Sequence, residues 1–305
     1  GVMYSKTGGA ISAKNSVINS QNMELGNGAT ITARDKDVIN TGLILGSKSL
    51  EISAADTISN SGEINASELT LKTAKIVDNK SGAGISSSSI VTMINTKAIK
   101  NAGLIDFGVM NATTGINSVI NSGTLKGRRL SISAPTFNNT GRTELSGGAS
   151  LNVTNLTSNI LTAGGKSDIT INGNYVNTGK LYIDGADLRI KANSITNRSG
   201  AILKARSFTA TAKSGGTFTN EGIIFGKSGI IVSAPIINNK STGYLVSGTT
   251  LGLAGTKTTN YGGISSTQNM TVSGTLENRA DIRTKKALSI TGAVTNYGRL
   301  SGKDK

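Results

Sequence analysis

The feature that most constrains this chain is a short phrase that returns about every twenty residues. Val119-Ile120-Asn121-Ser122-Gly123-Thr124-Leu125 states it: apolar, any residue, Asn, any residue, Gly, any residue, then Ile or Leu. The skeleton recurs at Asn40, Asn60, Asn101, Asn121, Asn177, Asn220, Asn260 and Asn296, with Gly two residues on. Looser versions sit at Asn19, Asn79, Asn139, Asn159, Asn197, Asn239 and Asn278. The fifteen anchors are 18 to 23 residues apart. Such a period marks a stacked array, in which each repeat buries its apolar side chains against its neighbours.

Positions inside the repeat are phased. Two residues before the anchor the side chain is apolar in thirteen of fifteen coils, Thr157 and Thr258 being the exceptions. Four residues after it comes an Ile or Leu, as at Ile44, Ile64, Ile105, Leu125, Leu181, Ile224, Ile264, Ile282 and Leu300. A polar turn follows, and then a period-two pair such as Leu50/Ile52, Leu69/Leu71, Leu130/Ile132, Leu188/Ile190, Ile230/Val232 or Leu288/Ile290. Alternation over so few residues, bounded by Gly and Ser, specifies short strands with one buried face. No stretch keeps apolar residues at i, i+3, i+4 and i+7 for two turns, which excludes helical solenoids.

The expected fold is therefore all-β: a right-handed parallel β-helix, or solenoid, of about 15 coils with about 20 residues in each. Residues 1–305 read as one such segment, with three short strands and three corners per coil. At roughly 4.8 Å per coil the rod would be about 70 Å long. At the corner, Gly is read as the residue that reaches positive φ. The repeated Asn is read as a ladder of stacked amides. A delayed Gly (Gly82, Gly200, Gly243) marks corners with one or two extra residues, and Asn159-Ile160-Leu161 lacks the Gly altogether.

Composition limits the chemistry. There is no Cys and no His, which removes disulfides, thiolates and imidazole bases together. The net charge of +15 points to polyanionic partners such as acidic glycans, lipopolysaccharide or anionic membranes. Nucleic acid would be held only weakly and non-specifically, because nothing reads a groove or studs a sheet with aromatics. No run approaches the roughly 18 apolar residues of a membrane helix. The stretch from Gly1 to Lys6 lacks the layout of a signal peptide. The phrase is cut at both ends without a capping coil, so a monomeric piece of a longer array is expected.

Chemistry in a stacked array should be sought at equal phase in successive coils. Basic residues gather seven or eight places after the anchor: Lys48, Arg128, Arg129, Lys204, Lys227, Lys285, Lys286 and Lys303. Counting from the anchors pairs Lys204 with Lys227, and Lys285 with Lys303, in successive coils. This would be a basic corner, either a ladder for acidic glycans or simply a solvated edge. One place after the anchor runs a second column of Lys240, Tyr261, Arg279 and Tyr297, suited to cation–π stacking or to receptor contact. Asp35, Asp37 and Asp56 come nearest to an acidic cluster, but Lys36 among them favours an ion pair over calcium. Enzymes built on β-helices need clustered carboxylates. No catalytic residue, cofactor or metal is expected.

Phrases such as Ile58-Ser59-Asn60-Ser61-Gly62-Glu63-Ile64-Asn65-Ala66 and Leu130-Ser131-Ile132-Ser133-Ala134-Pro135-Thr136-Phe137-Asn138-Asn139 carry a resemblance. They are similar to the repeat region of filamentous-haemagglutinin-type exoproteins exported by two-partner (type V) secretion in Gram-negative bacteria. That group includes adhesins of virulence and contact-dependent growth-inhibition effectors. The resemblance covers nearly the whole chain. It implies a secreted or cell-surface protein that meets an outer-membrane transporter during export. It also implies a non-enzymatic stalk or adhesive segment touching a receptor or glycan on a host or neighbouring bacterium. The alternative is the stalk or receptor-binding region of a growth-inhibition toxin, and more remotely a β-helical polysaccharide-degrading enzyme. The family's Asn-Pro-Asn secretion motif, an Arg-Gly-Asp motif and a toxin module are missing here, which points to the stalk or receptor-binding part.

Overall fold

A computed structural model of the chain describes residues 3–5 and 7–303. The amino-terminal stretch read for a leader, Gly1 to Lys6, lies partly outside that description. The chain is a parallel β-solenoid of about 15 turns, about 20 residues per turn, with no helix among the described residues. It divides into two compact units, Gly1–Val153 and Thr154–Lys305.

In the first unit the repeat phrase sets the register directly. Asn79 pairs with Asn60 on one side and Asn101 on the other, while Val77 pairs with Ile58 and Ile99. The second unit follows the same rule, with Asn239 between Asn220 and Asn260. Like residues therefore stack on like, and the side chains two before and four after each anchor fill the interior. Ile44, Ile64, Ile99, Ile105, Phe137, Leu181, Phe218, Ile224 and Ile282 are all fully buried. Each such side chain contributes roughly 1.5–3 kcal/mol by leaving water.

Two details of the strands differ from expectation. The second and third strands of a coil are often one hydrogen-bonded run that bends through the corner, as in Leu43–Ala54, Leu104–Thr114, Ile202–Ala212 and Ile223–Ser233. The bend is made by a bulge, for example between Gly46 and Ser49 or between Ala205 and Ser207. Val91/Met93, Met110/Ala112 and Phe208/Ala210 are further inward pairs that the Leu/Ile pattern did not bring out.

The Asn column is a ladder. In the first unit Nδ2 of Asn19, Asn40, Asn60, Asn79, Asn101 and Asn121 donates to Oδ1 of the next anchor at 2.7–2.8 Å. In the second unit Asn177, Asn197, Asn220, Asn239, Asn260 and Asn278 do the same at 2.8–2.9 Å. The remaining proton goes to backbone carbonyls of the corner, as from Asn101 to Thr124 O at 3.0 Å. These amides are buried, and a buried amide left unpaired would cost about 1–3 kcal/mol.

The reason for the corner glycine is different from the one expected. Gly42, Gly62, Gly103, Gly123, Gly141, Gly222 and Gly262 do not have positive φ. A β-carbon at any of them would lie 2.0–2.3 Å from a carbonyl oxygen of the coil before. Glycine is needed there because the coils touch, not because the chain turns. Positive φ appears at Gly82 (79°) and Gly200 (77°), where the corner does carry two more residues. Gly243 stands in the close-approach position instead, its would-be β-carbon 2.3 Å from Asn220 O.

The eighth coil is out of frame by one. Asn159 is exposed, and Leu156 and Ser158 occupy the inward places, so Ser158 is the corner residue and Thr157 faces outward. Thr258, the other exception, does lie in the core, and its hydroxyl has no hydrogen-bond partner.

Candidate receptor-contact surface

The column one place after the anchor is real, and it lies in the second unit. The amides of Lys240, Tyr261, Arg279 and Tyr297 each donate to the preceding anchor's carbonyl, at Asn220, Asn239, Asn260 and Asn278, over 2.7–2.8 Å. Successive side chains are thereby held about one coil rise apart on an outward corner. The Arg279 guanidinium sits 5.7 Å from the Tyr261 ring centre and 4.7 Å from that of Tyr297. Nε of Arg279 donates to Glu277 Oε1 at 2.7 Å, and Lys257 approaches the same carboxylate at 3.4 Å. Hydrogen bonds from Arg279 first and Lys257 second hold the Glu277 carboxyl below its ordinary range. The pairing with Glu277 raises Arg279 in turn. Tyr261 and Tyr297 remain 43% and 67% exposed, so the stack presents aromatic surface to solvent.

The basic residues do not form one column. Lys204 follows a corner with two extra residues, and the register therefore places it between Tyr182 and Phe225, not beside Lys227. Its ammonium lies 6.0 Å from the Tyr182 ring and 3.8 Å from Asp184. Lys227 is level with the bulge that carries Arg206, which is tied to Asp187 at 3.0 Å. Lys285 and Lys303 do share a phase, because Arg283 pairs with Ser301. Lys48, Arg128, Arg129 and Lys286 are exposed at corners, but Glu68 pairs with Ser49 beside Lys48, and Gly108 and Gly147 flank the arginines. Cations spaced this way make a diffuse positive surface. They do not make a ladder.

Of the acidic trio, Asp37 and Asp56 lie in adjacent coils, the Asp56 amide donating to Lys36 O at 3.0 Å, but they are engaged separately and the cation that pairs is Lys75. Asp56 pairs with Lys75 at 2.9 Å, whereas Asp37 accepts the backbone amide of Thr57 at 3.0 Å. No group of three or more metal-ligating side chains occurs among the described residues.

Sequence reasoning missed an apolar strip on the same unit. Ile202, Ile223 and Tyr244 pair in succession on an outward face, and beside them run Tyr182, Lys204, Phe225 and Val246. Ile223 is 43% and Tyr244 51% exposed. Contiguous exposed apolar surface of this kind is uncommon on a protein that touches nothing. The signal was present at three and five residues after the anchors, but the extra residues after Asn197 and Asn239 hid the alignment.

Fold and surface together define a parallel β-solenoid whose second unit carries outward aromatic side chains. Compared with family models, curated proteins and solved structures, the chain matches none.

Proposed function

We propose that this chain is a non-enzymatic stalk and adhesive segment of a secreted bacterial exoprotein, mediating contact with another cell. The observation that carries the reading is the division of labour within a coil. Inward positions repeat, coil after coil, and are used up by packing and by the Asn ladder, while outward positions vary and include the Tyr261–Arg279–Tyr297 stack. A repeat of this kind extends by about 4.8 Å for every coil added, which suits a spacer. Exposed Tyr and Arg suit a contact surface, since these residues dominate binding energy where partners meet. The resemblance to filamentous-haemagglutinin-type repeats supports a cell-surface or secreted location and export through an outer-membrane partner.

The test is attachment of the purified chain to host cells and to Gram-negative cells. Saturable attachment that falls on Tyr261→Ala with Tyr297→Ala, in protein of unchanged circular dichroism, is expected. Attachment to neither cell type would overturn the reading.

A further inference from the structure

Two tyrosines of the second unit, Tyr244 and Tyr261, flank an open recess that neither the ladder nor the core requires. Ser241, Tyr244, Tyr261, Gly262, Gly263 and Asp281 line a shallow cleft of about 290 Å³, with Ala280 at its edge. That is near the lower end of the roughly 300–1,000 Å³ typical of small-ligand sites. It has room for one ring with its substituents.

Its walls have a definite chemistry. Tyr244 lies against Gly263, where a β-carbon would be 2.7 Å from Tyr244 Cδ1, so the bare backbone seats the ring. Tyr261 is backed by the Arg279 guanidinium at 5.7 Å. Gly262 and Gly263 add no side chain of their own, Gly263 being covered by the Tyr244 ring, and Gly262 is glycine because the Gly243 oxygen would lie 2.2 Å from its β-carbon. Asp281 forms an ion pair with Arg283 through Oδ2, leaving Oδ1 as an acceptor. Ser241 adds an exposed hydroxyl. Among the described residues no cationic side chain lines the cleft.

From this we infer that the cleft is a binding site for a neutral pyranose unit of a glycan. A pyranose presents C–H groups on its face and hydroxyls around its rim. The C–H groups pack on the electron-rich faces of Tyr244 and Tyr261, and the hydroxyls donate to the Asp281 carboxylate and exchange hydrogen bonds with Ser241. A ligand bearing its own carboxylate or sulfate finds no free cation to pair with on these walls, because the Arg283 guanidinium is already paired with Asp281 and that of Arg279 with Glu277. This specificity is opposite to that expected of the net positive charge. The inference deepens the adhesive reading and rests on it for the biological source of the sugar.

The experiment is saturation-transfer NMR on the full chain with methyl glycosides of glucose, galactose, mannose and N-acetylglucosamine, and with methyl glucuronide as the acidic probe. Expected is transfer to the ring C–H protons of at least one neutral glycoside, with affinity the same at low and high salt. Tyr244→Ala and Tyr261→Ala should each weaken binding by roughly three- to tenfold, whereas the Phe variants keep it. Transfer to the glucuronide alone, to none of the probes, or undiminished transfer to a Tyr244→Ala/Tyr261→Ala protein of native circular dichroism would overturn the inference. Cell attachment that no neutral glycoside competes would leave the adhesive reading standing without this site. Glycoside binding without attachment to any cell would do the reverse.

Discussion

A β-carbon placed on Gly123 would lie 2.1 Å from the carbonyl oxygen of Gly103, one coil away. The two residues touch through bare backbone, as do Gly42 and Gly62 in the same unit.

Gly123→Ala should therefore cost about 1–3 kcal/mol by overpacking, read as a shift in the urea midpoint. Gly82 offers the contrast, since its φ is +79° and nothing lies within 4 Å of its would-be β-carbon. Gly82→Asn, a residue that tolerates left-handed backbone, should cost only a few tenths of a kcal/mol, while Gly123→Asn should be worse than Gly123→Ala. Equal penalties at the two sites would contradict the close-approach account.

The ladder is expected to fail at its middle. Asn101 accepts from Asn79 at 2.8 Å and donates to Asn121 at 2.7 Å. Asn101→Leu fills similar volume but strands both neighbours in the interior, and should cost about 2–5 kcal/mol by denaturation. A loss under about 0.5 kcal/mol would show that water or backbone can replace the rung.

Tyr175 is the opposite case, a core tyrosine whose hydroxyl has no hydrogen-bond partner. Tyr175→Phe should leave stability unchanged or raise it by about 1 kcal/mol at neutral pH, and Thr258→Val should behave similarly. Burial pushes the Tyr175 phenol above its ordinary value of 10.0. The folded state thus disfavours the phenolate, so this group's contribution is intact below that value and is lost as pH rises above it. Alkaline unfolding should accordingly be less steep in Tyr175→Phe than in the parent, as followed by circular dichroism.

Arg279→Ala should release Glu277, whose carboxyl is held low chiefly by the hydrogen bond from Arg279. The carboxyl should titrate at higher pH in the variant, as seen by NMR. The sign follows from linkage: a depressed carboxyl supports the fold above its unfolded value and loses that support as pH falls. Stability at neutral pH should hardly change, because the pair is at the surface.

Replacing Lys204, Lys227 and Lys285 together by alanine should lower the salt needed to elute the chain from heparin. The shift should be no larger than that from removing any three exposed cations, because the register separates Lys204 from Lys227. A much larger shift would restore the basic corner as a site.

Most of the fold was legible because each inward position recurs with unchanged chemistry. Asn121, Val119 and Leu125 state an environment that Asn101, Ile99 and Ile105 state again. What misled was counting along the chain, since stacking is measured across it. Two extra residues after Asn197 moved Lys204 out of line, and one fewer residue in the eighth coil moved the corner from Asn159 to Ser158. The glycine rule misled for another reason: positive φ and close approach both select glycine, and only the neighbouring coil distinguishes them. The Tyr244–Tyr261 cleft was hidden because its walls come from different phases of different coils.

The ladder also has a sense. In every rung resolved, the earlier asparagine gives the proton and the later one receives it. Within each unit the column is thus a one-way line of dipoles, each reinforcing the next. A coil approaching in reverse would set donor against donor or acceptor against acceptor. Coils stacked head to tail keep every amide of the ladder paired, so the polarity of the stack is carried by its amides as well as by its strands.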